Sequence, residues 1–315
     1  MTLSISTLVS SHVANRRVMG EKCNTNEDIL RSFCTLVGPE TAVSRICKSD
    51  VVRFLDGTGA YSNAWHVRYI ALNGCFQFAV TRGHLKSVPL PVDIPKRLPT
   101  LTPYIYTRNE LKRLLDAIAI VKFPGRIDRK TMRAMLLLFY GAGLRRQEVL
   151  ELPREEVDLA NSLLTIRMTK FYKSRFVPIS KDLTCVLREY ETWRNATYSA
   201  NQSPFFFIGR DGAGIPWWTL YHSFDRLRKF AGVTRSDGGR YQPRVHDLRH
   251  TFAVHRLTEW YQQGADVQRL IYHLSVYLGH SSLAESQVYL TATPELLKEA
   301  CMLFEQYAEG KVGHE

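Results

Sequence analysis

His246 and Arg249 stand three residues apart in Tyr241-Gln-Pro-Arg-Val-His246-Asp-Leu-Arg249-His250-Thr-Phe-Ala, where Leu248, Phe252 and Leu257 recur at helical spacing. Residues i and i+3 share one face of a helix. Arginine grips a phosphate through a planar fork of donors, and histidine exchanges a proton near neutral pH. The pair therefore suits holding a phosphodiester and moving a proton beside it, although any helix can carry both residues by chance. His250, on the same helix, reads as a buttress behind such a pocket.

Further candidates lie elsewhere in the chain. A Met- and Leu-rich helix over Arg129 to Tyr140 ends at Gly141-Ala-Gly143, and Leu144-Arg145-Arg146-Gln147-Glu148 opens the next. Glycines let backbone approach a ligand, and a helix start favours an anion. A cation such as Arg145 is the wrong charge there unless an anion binds or Glu148 pairs with it at i+3. The turn Lys170-Phe-Tyr-Lys173-Ser-Arg175 joins a strand with alternating Leu164, Ile166 and Met168 to a return strand, Phe176-Val177-Pro178-Ile179. Such a tip can deliver a lysine into a groove, or simply be a solvated basic loop. His280 and Tyr289 are nine residues apart; on one helix, at about 100° per residue, they would face opposite ways. Gly279 ends a helix in the left-handed conformation, and Ser282 with Glu285 has capping-box spacing, so two helices joined at His280 can bring both side chains to one pocket.

These residues need a frame of helices. Residues 1–88 read as a helical domain with broad apolar faces, the fourth helix carrying Trp65, Ile70, Cys75 and Phe76; Asn26-Glu27-Asp28 opens its second helix and Ser49-Asp50 caps its third. Arg53, His66, Arg68 and Arg82 either face a polyanion or are solvated. Residues 89–104 hold prolines at 89, 91, 95, 99 and 103 and read as a semi-stiff linker. Residues 105–315 form the second domain, where Thr107 and Glu110 have capping-box spacing, Asp266 caps a later helix and an amphipathic helix runs from Pro294 to Tyr307. The fold class expected is mainly α with a small antiparallel β-sheet.

Composition narrows the function classes. The 315 residues carry a net charge of +12, with a pI near 9.5, spread without a dominant run. That balance points to a polyanionic partner, nucleic acid first. The six cysteines are scattered with no C-x-x-C spacing, which reads as small core residues in a reducing compartment and argues against a structural zinc site or disulfide framework. The start lacks a signal-peptide pattern, and the longest apolar run, Ala134 to Leu144, is too short to span a bilayer. The expectation is a cytoplasmic, nucleoid-associated protein with no membrane partner.

Taken together, the motifs resemble the tyrosine recombinase (phage integrase) family. Gly143-Leu144-Arg145-x-x-Glu148 is similar to its first arginine motif, His246-Asp-Leu-Arg249-His250-Thr-Phe-Ala to its His-x-x-Arg motif, and Leu278-Gly279-His280 followed by Tyr289 to its histidine and nucleophile motif. Lys170 stands eight residues before Pro178, where the family's turn places a catalytic lysine; that turn is Lys170-Phe-Tyr-Lys173 here, which leaves Lys173 as the alternative. The form Leu274-Ser-Val-Tyr-Leu-Gly-His280 is more similar to transposon- and plasmid-borne members, a mobile-element lineage.

The resemblance implies a helical core-binding domain, an α+β catalytic domain and an activity: site-specific cutting and rejoining of DNA. Tyr289 would attack the scissile phosphate, giving a 3′-phosphotyrosine and a free 5′-hydroxyl. Arg145, Arg249 and His280 would hold the phosphate oxygens, Lys170 would protonate the leaving oxygen, and His246 would assist proton transfer from Tyr289. It implies no cofactor and no metal, double-stranded DNA as partner, a homotetramer on DNA, and the last helix as the element exchanged between subunits. Three other readings stand beside it: a non-catalytic DNA-binding protein on the same fold, a zinc hydrolase using His246 and His250 at i and i+4, and a type IB topoisomerase.

Overall fold

The computed structural model describes residues 3–21, 23–98, 102–123, 125–167, 174–198, 203–239, 241–280, 282–291, 296–299 and 301–302. They form two compact units, divided at about residue 100.

The N-terminal unit is four helices: α1 (Ile5–Val18), α2 (Asn24–Val37), α3 (Lys48–Asp56) and α4 (Ala64–Thr81). Each turns an apolar stripe inward. Leu8, Phe33, Leu55, Leu72 and Phe76 are almost fully buried, and Phe33 meets Phe54 and Phe76 edge-on, 5.2 and 6.0 Å between ring centres. Burying side chains of this size stabilises by about 1.5–3 kcal/mol each. Two helix starts differ from the expected ones. Helix α2 begins at Asn24 because Cys23 takes a left-handed conformation, φ 48°. Helix α3 begins at Lys48 because the Asp50 carboxylate reaches back to the Cys47 N–H, at 3.2 Å. Of the four cations read as polyanion-facing or solvated, Arg53 and Arg82 are exposed, while Arg68 and His66 are held by protein groups. Arg68 donates to the carbonyls of Phe54 and Leu55, His66 is buried against the Tyr61 hydroxyl, Arg82 lies over Phe78, and Arg53 is near Asp50.

The C-terminal unit has helices α5 (Arg108–Ile120), α6 (Arg129–Ala142), α7 (Arg146–Leu150), α8 (Lys181–Thr197), α9 (Trp217–Phe230), α10 (Asp247–Gln262), α11 (Val267–Leu278) and α12 (Ala284–Gln287). Its sheet runs β1 (Val157–Asp158), β2 (Leu163–Ile166), β3 (Arg175–Pro178), all antiparallel. Leu164 pairs with Val177 and Ile166 with Arg175. Helix α6 is the centre of the unit; Met132, Met135, Leu136, Leu138 and Phe139 are buried, and α8 and α10 pack on it. Thr107, Asp128, Ser180 and Asp266 cap α5, α6, α8 and α11 through their side chains.

The chain after α11 departs from expectation in one respect. Ser282 supplies only its carbonyl, to the Glu285 N–H, and α12 starts at Ala284 with no side-chain cap. It lasts one turn and passes into a 3-10 turn, Val288–Thr291. The cysteines also differ: Cys34 and Cys75 are buried, but Cys47, Cys185 and Cys301 are exposed. Among the described residues no helix is long and apolar enough to cross a membrane.

Candidate active site

Three consecutive carbonyls at the end of α11 organise the site. Helix ends leave four carbonyls without intrahelical donors. Here Gly279, at φ 70°, turns the chain so that its own N–H bonds to the Val276 carbonyl at 2.9 Å and the His280 N–H to that of Ser275 at 3.0 Å. The next three carbonyls are taken by arginines from three other elements. Arg175 Nε donates to Tyr277 at 2.9 Å, Arg249 Nη2 to Leu278 at 2.8 Å, and Arg145 Nη2 to Gly279 at 2.5 Å. The negative end of the helix dipole favours such cations. Glycine is required at 279 twice over: by its φ, and because a Cβ there would lie 2.8 Å from Arg175 Nη1.

Arg249 is anchored at a second helix end, since its Nη1 donates to the Gly143 carbonyl at 2.7 Å. Gly143 closes α6 in the left-handed conformation, and a Cβ there would meet Phe252 at 2.5 Å. The first turn of α10 is fixed by Asp247, 1% exposed, whose carboxylate accepts the Arg244 N–H at 2.8 Å and its guanidinium at 2.9 and 3.2 Å. Thr251 donates to the Asp247 carbonyl at 2.8 Å and accepts the Tyr106 N–H at 3.0 Å.

Arg145 is held by Glu148, which accepts its backbone N–H at 2.8 Å and its Nη1 at 3.1 Å. The same carboxylate takes Arg175 in a two-pronged pair, 2.9 Å at each prong. Burial would raise the Glu148 pKa, but the bonds and charge of Arg175, then of Arg145, outweigh it and hold it at about 2.

The phenol of Tyr289, 3% exposed, packs with Phe252, Leu274 and Leu278. Its oxygen is 3.1 Å from His250 Nδ1. Burial raises its pKa, while Arg249 and Arg145 pull it back. His280 lies with its ring 6.0 Å from the phenol and shares a 2.6 Å hydrogen bond with Ser286 through Nδ1. His246, at the start of α10, sets its ring at 89° to His250, 5.0 Å away. Burial lowers all three imidazoles to about 4, helped by Arg249 at each and by His246 at His250. His246 is the most exposed of the three, so water screens part of its shift. Burial, then Arg145, lowers Arg249 to about 10, which leaves it a cation at neutral pH.

Five predicted residues, Arg145, His246, Arg249, His280 and Tyr289, thus come together around one phenol and two guanidiniums. Lys170 and Lys173 lie outside the described residues. Two positions are corrected. His250, read as a buttress behind the pocket, touches the tyrosine oxygen. Arg175, read only as a turn cation, is 10% exposed and built into the centre. A signal for it existed: it falls two residues before the buried Val177, so strand alternation puts its side chain on the inward face. A cavity lined by Tyr140, Phe252, His255, Trp260, Leu274 and Tyr277 contains none of the five. Among the described residues no group of His, Cys, Asp and Glu side chains could hold a metal ion.

Comparison with known proteins gives a consistent picture. A model described as the phage integrase family matches residues 105–295. The putative integrase/recombinase y4rE of Sinorhizobium fredii is 30% identical over 292 residues, 93% of each chain. The tyrosine recombinase XerA of Thermococcus kodakarensis is 34% identical over 209 residues, 65% of this chain and 64% of that one. The solved structure of the Tn1549 transposon integrase in complex with transposon right end DNA shares the fold, with a TM-score of 0.67 at 14% identity over 97% of this chain and 100% of that one.

Proposed function

The chain belongs to the phage integrase family and is a tyrosine site-specific recombinase acting on double-stranded DNA; from that premise we propose how its residues cut and rejoin a strand. Arg145 and Arg249 hold the non-bridging oxygens of the scissile phosphate. A guanidinium has five N–H donors, and the carbonyl and carboxylate bonds use only part of them. Their charge opposes the charge that grows on phosphorus oxygens in the transition state. His280 adds a donor to the same oxygens. Tyr289 Oη attacks phosphorus, the 5′-oxygen leaves, and a 3′-phosphotyrosine remains. Lys170, with Lys173 as the alternative, protonates the leaving oxygen. His246, one ring removed from the phenol, belongs to the proton-transfer group. One phosphate ester replaces another, so the step runs in both directions and needs no ATP.

The observation that carries this reading is the convergence of Arg145 and Arg249 on adjacent carbonyls, with their charges acting on the buried Tyr289 phenol. The net charge of +12 supports a duplex held mainly through phosphates, with affinity falling steeply as salt rises. The finer assignments belong to the same proposal: residues 1–88 as the core-binding domain, 89–104 as the linker, 105–315 as the catalytic domain, a homotetramer on two DNA sites joined by its last helix, and residence on the nucleoid in service of a mobile element.

The test is covalent trapping on a nicked duplex whose cleaved end diffuses away. The parent protein accumulates a protein–DNA adduct, unaffected by chelators, and Tyr289→Phe accumulates none while still binding the duplex. An adduct with Tyr289→Phe would remove the assignment. Lys170→Ala regains cleavage on a substrate with sulfur at the 5′-bridging position, because a thiolate leaves without a proton; recovery by Lys173→Ala instead would move the role to that residue.

A further inference from the structure

We propose that His250 is a catalytic residue that takes the proton of the Tyr289 hydroxyl as the tyrosine oxygen attacks phosphorus. This rests on the strand-cleavage reading above and adds a residue that reading does not use.

The hydrogen-bond inventory around the phenol makes the argument. Tyr289 has one proton to give. His250 Nδ1 lies 3.1 Å from the phenol oxygen, and in the tautomer that carries its proton on Nε2 it accepts the O–H. The other two imidazoles are placed differently. His280 has its Nδ1 engaged with Ser286 at 2.6 Å. His246 makes its ring contact with His250 and stands behind it. The phenol is 3% exposed, so bulk water has little access to its proton and a side chain must receive it.

Electrostatics are compatible with the task. His250 faces His246 and Arg249 at the start of its own helix and Arg244 from the turn before it, which oppose its protonation, and Asp247, which favours it. Across the pocket it faces Tyr289. With its pKa held at about 4, chiefly by burial, the ring is neutral at pH 7 and its lone pair is available. A bound phosphate brings negative charge against the same arginines, and so raises the basicity of the ring when the proton has to move.

The balance of the step is closed. The O–H bond of Tyr289 breaks, its electron pair forms the bond to phosphorus, and the proton goes to Nδ1. The bond from phosphorus to the 5′-oxygen breaks with its pair on that oxygen, which takes a proton from the general acid of the proposed mechanism. On rejoining, His250 returns its proton to Tyr289.

The experiment uses the full chain and the nicked duplex, with single-turnover cleavage followed from about pH 6 to about pH 10. His250→Asn is the informative variant, because its amide reaches the place of Nδ1 and keeps a hydrogen bond but cannot take a proton. The expected loss at pH 7 is about 100-fold or more, the usual range for a general base. The rate then climbs about tenfold per pH unit as hydroxide ionises the phenol. His246→Asn is slower but keeps the parent's pH profile. His250→Ala regains cleavage with added imidazole. The proposal is overturned if His250→Asn cleaves within about threefold of the parent, if it loses the same factor at every pH, if the climbing profile belongs to His246→Asn, or if imidazole fails to rescue His250→Ala. No adduct from the parent protein would overturn the strand-cleavage reading itself, and this proposal with it.

Discussion

In the N-terminal unit, Arg17 and Arg31, with side chains 53% and 71% exposed, meet Glu27 at 14%, whereas in the C-terminal unit Arg175 meets Glu148 with both side chains buried to 10% and 9%. An exposed pair exchanges water for a partner of similar worth and adds little. A buried pair must recover a large desolvation cost through geometry. The C-terminal unit does so with a two-pronged carboxylate and three helix-end carbonyls, and in return it keeps several cations in a small volume. Such crowding is unfavourable for a folded chain alone. It is relieved when an anion enters, which is what a scissile phosphate supplies.

The sharpest way to break this contrast is Arg249→Ala. It removes a guanidinium whose charge acts on the tyrosine and strands the Gly143 and Leu278 carbonyls. Cleavage is expected to fall about 1,000-fold or more while duplex binding, spread over many phosphates, persists in a mobility-shift assay. Cleavage within tenfold of the parent would mean that the buried cation is structural only.

Next in size is Glu148→Ala, which leaves Arg175 buried without its carboxylate. Urea unfolding should show a loss of about 3–5 kcal/mol. A loss near that of a surface pair would erase the distinction between the units.

Acid titration sharpens it further. Glu148 is held at about 2, below the usual 4.5, so its contribution is complete above pH 4.5 and is lost as pH falls towards 2; the shift corresponds to about 3 kcal/mol. His246, His250 and His280, held at about 4 and not 6.5, stabilise fully above pH 6.5 and lose that contribution as pH falls towards 4. The urea midpoint should therefore decline from pH 6.5 downward and again below 4.5, and Glu148→Gln should remove the lower phase. His12 in the N-terminal unit is also lowered, by burial first, and adds in the same direction to the upper phase. The smallest effect belongs to Arg31→Ala, which should leave the urea midpoint within measurement error; a clear shift would show that the surface pair matters more than its exposure allows.

Much of the site was legible along the chain because catalysis constrains residue types at fixed spacing. Arg145 after Gly143, His246 with Arg249, and His280 nine residues before Tyr289 each announced a role. Periodicity located the helices, and side-chain chemistry located the caps at Thr107 and Asp266. The errors fell where a local signal competed with a contact made later in folding. Ser282 has the residue type for a cap, yet its turn is set by the short descent from Gly279 to the buried Tyr289. Arg68 and His66 look like surface cations, yet the end of α3 and the Tyr61 hydroxyl claim them.

By itself the sequence determined which helices form, where glycine ends them, and which residue types stand at the spacings of a phosphate site, because propensity, capping and residue type act within a few positions of one another. Only the tertiary structure decided which groups meet. Arg145, Arg175 and Arg249 come from a helix start, a strand and a helix, and they converge because α11 leaves three carbonyls in a row without donors. The same packing placed His250 and not His246 against the tyrosine oxygen. Both histidines lie on one turn of one helix, and the element opposite chose between them.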